Sequence, residues 1–418
     1  MRDDRLFLGL DLGTSGARAV VIDAQGRSLS AAKAALADFG DNPRQPAVWL
    51  AAAEAAIDAA LASIDRGRIA ALSVDGTSGT MLALDAEGAP IGDALMYNDV
   101  SSDRAALEAI ARFAPATSAA HGATSGLAKA AQLRARAPRT IAHQADWIAA
   151  RFSVRIVTDE NNALKTGYDP VDRRWPDWIA AIGFDLALLP QVKAPGDPVG
   201  RVTAEAAARF GLSPDALVVA GTTDGCASFL ATGASAPGEG VTALGTTLTL
   251  KLMSDRPVFA PEYGVYSHRL LGRWLAGGAS NTGGGALLAH FSAAEIADLS
   301  SRVNPSIPTG LDYYPLPCPG ERFPIADPTL PPRIAPRPQD PARYLQGLFE
   351  GVAAIEALGY RRLAELGAPA LKSVRSVGGG ARNTAWTAIR AQNLGVPLLL
   401  AIEDEAAYGA ALLARAGA

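Results

Sequence analysis

Short apolar runs broken by glycine and hydroxyl residues alternate along this chain with alanine-rich stretches of helical spacing. Phe7 to Leu12 and Ala17 to Asp23 are two β-branched and leucine-rich runs around Gly13-Thr14-Ser15-Gly16, the pattern of a hairpin. Trp49 to Ile64 predicts a helix, and "RIAALSVDGTSGTMLALDAEGAPI" returns to strand, turn and strand. "DALVVAGTTDGCASFLATGA" predicts a buried strand, a tight turn and a helix opening at Asp224, and "GVTALGTTLTLKLM" another strand, turn and strand. A helix is expected from Pro341 to Leu366, then strand, glycine-rich loop, helix and strand in "LKSVRSVGGGARNTAWTAIRAQNLGVPLLL", and a closing helix in "EAAYGAALLARAGA". This is a mixed α/β pattern.

Two of these stretches resemble each other. "LGLDLGTSGARAVVI" and "VTALGTTLTLKL" share strand, Gly-Thr turn and strand, which predicts two related domains, each opening on a hairpin. Asp11 of the first copy is Ala243 in the second, so the carboxylate is not demanded by the turn. The proline-rich stretch 312–341 excludes interior helix or central strand. It predicts a surface excursion within the second domain, with a lid or a subunit contact as the alternative.

At 418 residues, nearly half of them apolar, the chain can bury two cores, and a net charge of -4 without a basic block lacks the footprint of a nucleic-acid binder. Cys226 and Cys318 match no disulfide or zinc pattern and read as small buried residues. No apolar run is long enough to cross a bilayer and the N-terminus lacks a secretory pattern, so a cytoplasmic protein is expected. There is no Gly-Lys dipeptide, no Rossmann glycine motif after the first strand, no nucleophile elbow, and the four histidines are scattered.

What remains is chemistry for holding phosphate. Gly13-Thr14-Ser15-Gly16 and Gly245-Thr246-Thr247 offer backbone N–H groups and hydroxyls without bulk, and their equivalent places in two repeats suggest a paired phosphate clamp. Gly378-Gly379-Gly380 before a helix capped by Asn383 can accept a flat ring, with Trp386 a core residue or a neighbour of that ring. Asp224, at a strand end and a helix start, is either an N-cap or a rigidly held general base, and Asp75 has the same two readings.

In family order, "GLDLGTSGARAVVID", "DGTSGTMLALD", "AGTTDGCASFLATGA", "ALGTTLTL", "GGGARNTAW" and "EDEAAYGAALLA" resemble the FGGY carbohydrate kinases of the actin-like ATPase superfamily, from end to end of the chain. The resemblance implies two actin-like (ribonuclease H-like) domains, each a mixed sheet flanked by helices, with a cleft between them. Residues 1–231 would bind the sugar and 232–418 the nucleotide, the last helix, about 405–418, packing back on the first domain. It implies transfer of phosphate from ATP, with Mg2+, to a small sugar. Asp224 would be the general base and Asp11 the metal ligand, through water. Gly13, Thr14, Ser15, Gly245, Thr246 and Thr247 would hold the phosphates, Gly379, Gly380, Asn383 and Trp386 the adenosine, and Asp11, Gly16, Arg18, Ser78, Asp99 and Asp224 the sugar. "MYNDVSSDR" stands where many members have tryptophan and an acidic residue, and the chain is shorter than typical members. With "LDLGTSGAR" and "TDENNALKTGYD" it looks most like the short ribulose kinases of cyanobacteria and plants, some labelled xylulose kinases, which places D-ribulose ahead of D-xylulose. The expected partner is the sugar, with a homodimer as the assembly allowed for; the rival readings are an actin-like ATP switch and a silent sugar sensor.

Overall fold

The structure is a computed structural model describing residues 4–418. It divides into two compact units, 1–231 with 268–272 and 405–418, and 232–267 with 273–404.

The first unit is built on six strands, β1 (Leu6–Leu12), β2 (Gly16–Asp23), β3 (Ser28–Ala35), β4 (Ile69–Gly76), β5 (Pro198–Arg201) and β6 (Leu217–Val219), ordered β3-β2-β1-β4-β6-β5. β1 and β2 are antiparallel, whereas β4 runs parallel to both β1 and β6. Both faces are covered, so β1 is buried throughout, and its period of two sorts its residues. Leu6, Leu8, Leu10 and Leu12 join Trp49, Ala52, Ala53 and Ile57 of helix α1 (Pro46–Ala60) in one core. Phe7 lies in the other, with Ala407, Tyr408, Ala411 and Ala414 of the C-terminal helix (Ala406–Ala416). Gly9 is on that second face because nothing larger fits: a Cβ there would stand 1.9 Å from Ala407 O. Asp11 completes the same face.

Between β4 and β5 the chain forms a smaller layer, the antiparallel strand pair Met81–Leu84 and Thr140–His143 packed on helices Arg104–Phe113 and Gly126–Leu133. Helix α2 (Asp224–Ala231) follows β6.

The second unit repeats the plan. Its sheet has strands β7 (Glu239–Leu244), β8 (Leu248–Ser254), β9 (Tyr266–Leu270, of which 268–270 group with the first unit), β10 (Arg273–Ser280), β11 (Ser373–Val377) and β12 (Leu398–Leu399), ordered β9-β10-β8-β7-β11-β12. The run β10-β8-β7-β11-β12 matches β3-β2-β1-β4-β6, with the same antiparallel hairpin and parallel neighbour. Helix α3 (Pro341–Glu365) packs Leu345, Leu348, Phe349 and Val352 on Leu244, Leu248, Leu250 and Leu252, and α4 (Thr384–Leu394) adds Trp386 and Ile389. The C-terminal helix of the first unit is α5.

Two expectations change. The proline-rich stretch is more than a surface excursion: it buries Tyr313, Tyr314, Leu316 and Phe323 in the second core. Phe323 occupies space left by Gly278 and Gly359, where a Cβ would meet its ring at 2.6 and 2.9 Å. Glu321 accepts from Ser280 Oγ (2.6 Å), Asn281 N (2.8 Å) and Tyr314 Oη (3.0 Å), fixing the stretch to the end of β10. Cys226 is buried as expected, whereas Cys318, in this stretch, is exposed. No helix among the described residues is long and apolar enough to cross a membrane.

Candidate active site

Register in the first sheet assembles a row of charge. Arg18 of β2 is paired with Asp11 of β1, which is paired in turn with Asp75 of β4, so all three side chains leave one face at one level. A parallel bridge between Gly76 and Thr223 brings the start of α2, and with it Asp224, to the same end of the sheet. The equivalent row in the second sheet is Thr249, Ala243 and Val377. The carboxylates are therefore additions to a fold that forms without them.

Arg18 Nη1 donates to Asp11 Oδ2 at 2.7 Å and Arg18 Nε lies 3.3 Å from Glu405 Oε2. Burial opposes the guanidinium charge, but the bond to Asp11 and the charges of Asp11, Glu405 and Asp75 outweigh it and raise its pKa. Asp11 is 3 % exposed and its Oδ1 has no partner. Asp75 is wholly buried, and neither of its oxygens has a partner. Burial first, then Asp11 and Asp224, push its pKa well above the carboxylate range, against Arg18.

Asp224 Oδ1 accepts from Gly225 N at 2.6 Å, and Thr223 O accepts from the amides of Cys226 and Ala227, so Asp224 sits in the first turn of α2 beside its positive end. Asn161 braces this turn: its Nδ2 donates to Thr222 Oγ1 at 2.8 Å and to Arg269 O at 2.9 Å, while its Oδ1 accepts from Arg269 N at 3.0 Å. The first Gly-Thr turn is closed by Gly13 N to Gly16 O, 3.0 Å, with Thr14 and Ser15 exposed and Gly16 buried against β3.

Of the remaining sugar candidates, Ser78 carries a buried hydroxyl without a partner. Asp99 is engaged on both oxygens by Arg44, one bond at 2.8 Å, and by Met96 N at 2.8 Å, and the Arg44 bond lowers its pKa. Asp99 thus shapes its own turn.

In the second unit the exposed turn Gly245-Thr246-Thr247 borders a pocket of about 430 Å³. Gly379, Gly380, Asn383 and Trp386 line it, and Leu287, Leu288 and Ile296 give an apolar wall. A Cβ on Gly380 would stand 2.7 Å from Trp386 Cζ3, while one on Gly379 would meet nothing within 4 Å, so Gly379 leaves the pocket open. Asn383 is spent on structure: its Oδ1 caps α4 at Trp386 N (3.0 Å) and its Nδ2 donates to Ser300 Oγ (2.7 Å). Trp386 stacks on Phe349, 5.0 Å between centroids, and joins the pocket from the core.

Sequence reading missed a second glycine triplet. Gly284 N and Gly285 N donate to Gly245 O (2.8 Å) and Thr246 O (2.9 Å), and Leu248 N to Thr282 O (2.7 Å), holding the turn by its carbonyls and leaving N–H groups and hydroxyls to offer. "NTGGG" at 281–285 was the available signal. Asp75 was noticed, but its place beside Asp11 exists only in the register.

Among the described residues no three His, Cys, Asp or Glu side chains form a metal cage. A hard cation held by one or two carboxylates and by phosphate oxygens needs no cage, and the partnerless Oδ1 of Asp11 suits it.

Residues 6–113 match the N-terminal domain and 240–418 the C-terminal domain of the FGGY family of carbohydrate kinases. A xylulose kinase of Streptomyces coelicolor is 30% identical over 91% of this chain and 81% of its own length. An autoinducer-2 kinase of Yersinia enterocolitica is 28% identical over 66% of this chain, which spans 57% of that relative. The crystal structure of a xyloylose kinase from Brucella ovis superposes with a TM-score of 0.84 at 27% identity, covering 98% of this chain and 90% of its own.

Proposed function

The chain belongs to the FGGY family of carbohydrate kinases and is an ATP-dependent sugar kinase of that type; from this premise we propose that it phosphorylates the terminal hydroxyl of a ketopentose with Asp224 as general base. The observation that carries the reading is the row Arg18, Asp11, Asp75, present in one sheet and replaced by Thr249, Ala243, Val377 in its twin. A structural repeat has no use for that difference, but a reaction with one acceptor and one metal–phosphate group does.

Asp224, held in the first turn of α2, accepts the proton of the sugar hydroxyl. Asp11, oriented by Arg18 through Oδ2, would hold Mg2+ through water at its partnerless Oδ1, and the ion would neutralise charge on the transferring phosphoryl group. Gly13, Thr14 and Ser15 and, in the second unit, Gly245, Thr246 and Thr247 bind phosphate oxygens. The pocket beside Gly379 and Gly380 takes the adenosine, its apolar wall suiting a base. Gly16, Arg18, Ser78 and Asp99 shape the sugar side. Positioning and charge neutralisation suffice for phosphoryl transfer, so no covalent intermediate is required.

D-ribulose is the proposed acceptor, on "MYND" and "TDENNALKTGYD". D-xylulose is the second reading, favoured by the names of the relatives above. A panel of D-ribulose, D-xylulose, aldopentoses, polyols and glycerol with ATP and Mg2+, scored by ADP release, tests both. Stimulation by one ketopentose supports the proposal; equal hydrolysis with every sugar, or none above buffer, refutes it.

A further inference from the structure

The helix Gly126–Leu133, "GLAKAAQL", buries seven of its eight residues, and Lys129 is one of them, wholly enclosed. Its platform is rigid. Ser125 Oγ caps it at Ala128 N (3.2 Å), Ser101 Oγ donates to Ala128 O (2.9 Å), and a Cβ on Gly126 would stand 2.4 Å from Thr166 Oγ1. An apolar chain would fill the space without stripping water from an ammonium, so packing alone does not account for a lysine here. No carboxylate forms an ion pair with it among the described residues. Instead Nζ donates to Gly79 O and to Tyr97 O, both at 2.8 Å, using two of its three hydrogens.

Those two carbonyls belong to different turns. Gly79, at φ +87°, follows Ser78, whose hydroxyl is buried without a partner, while the neighbouring hydroxyls of Thr77 and Thr80 bond each other at 2.6 Å. Tyr97 lies in the turn closed by Asp99 N to Met96 O (3.0 Å) and held by Arg44. We propose that Lys129 is a positioning residue for the acceptor: it locks the Ser78 turn to the Asp99 turn and so sets affinity for the sugar without touching it. This rests on the assignment of Ser78 and Asp99 to the sugar side. Burial lowers the ammonium pKa to about 8, with Asp99 opposing and Lys165 adding to the shift, so the charged, stronger donor prevails at neutral pH.

The test is Lys129→Met beside Lys129→Arg in the full chain, measuring KM for sugar and for ATP, kcat and Tm. Because misplacing a binding group by about 1 Å costs up to ~10²-fold, the methionine variant should raise the sugar KM about tenfold or more. The ATP KM should stay within about twofold of wild type, and arginine, which keeps charge and donors, should recover most of the loss. A sugar KM unchanged in Lys129→Met, or both KM values rising together, overturns the proposal. If the methionine variant does not fold, Lys129→Gln, whose shorter side chain replaces the ammonium by a neutral amide, takes its place under the same criteria. If the wild-type protein shows no sugar-stimulated ADP release, the kinase reading fails, and Lys129 is judged by hydrogen exchange. Faster exchange in residues 77–81 and 96–101 of the variant supports the lock, and unchanged exchange overturns it.

Discussion

Adding one methyl group at Gly409 should slow turnover through a contact that involves no catalytic side chain. Helix α5 lies against β1 at Gly9 and against α2 at Gly409, where a Cβ would stand 1.9 Å from Ala227 O and 2.9 Å from Ala227 Cα. An ordinary carbon–oxygen contact needs ~3.4 Å, so the helices must part by about 1.5 Å. Retreat of α5 toward β1 is blocked, because its Ala407 O already stands 1.9 Å from the place of a Cβ on Gly9. The movement therefore falls on α2, whose first residue is Asp224. Glycine to alanine inside a helix would by itself stabilise by about 1 kcal/mol, whereas overpacking costs about 1–3 kcal/mol, so a net loss of Tm of a few degrees reports the contact. Shifting a catalytic group by about 1 Å costs up to ~10²-fold, so kcat should fall about 10- to 100-fold. Gly200→Ala, whose Cβ would meet nothing within 4 Å, is the control. Sugar-stimulated ADP release and thermal melting decide it: a Gly409→Ala protein matching the control in both would refute the reasoning.

Asp11→Asn keeps an acceptor for Arg18 but loses the charge at Oδ1; it should melt like the wild type, and Mg2+ titration of ADP release should show no recovery of turnover. Gly379→Ala should raise the ATP KM at unchanged Tm, because its methyl enters open pocket. Gly380→Ala should lower Tm as well, because its methyl meets Trp386 and Leu244 at 2.7 and 2.9 Å. Burial, then Lys129 and Lys165, lower the pKa of His143 to about 3, so the fold holds it neutral. The unfolded chain binds the proton first, and stability present above pH ~6.5 is lost as pH falls toward 3, by up to about 5 kcal/mol. His143→Gln should flatten the fall of Tm with acid in that window, and an unchanged slope would count against the assignment.

Local signals made much of this molecule legible. The hairpin around Gly13–Gly16 and the strand, turn and helix around Asp224 are written in short apolar runs and turn residues, and the self-similarity of two stretches disclosed the duplicated sheet. Long-range register was not legible: Asp75 looks like any strand-end aspartate until β4 is laid beside β1. Lys129 hides in an alanine-rich helix because its partners are backbone carbonyls 50 and 32 residues away, which leave no mark in the sequence. The proline-rich stretch misled because proline reports backbone constraint, whereas the burial of Phe323 depends on glycines at 278 and 359. The tip His268–Gly272 groups with the first unit although its neighbours in sequence belong to the second.

In the proposed reaction Asp224 takes the proton from the sugar hydroxyl. Asp224→Asn preserves shape and removes only the basic oxygen. Ketopentose and ATP binding by calorimetry should stay close to wild type, with ADP release in the presence of the sugar reduced about 10²- to 10⁴-fold. An Asp224→Asn protein that phosphorylates the sugar at the wild-type rate would contradict it.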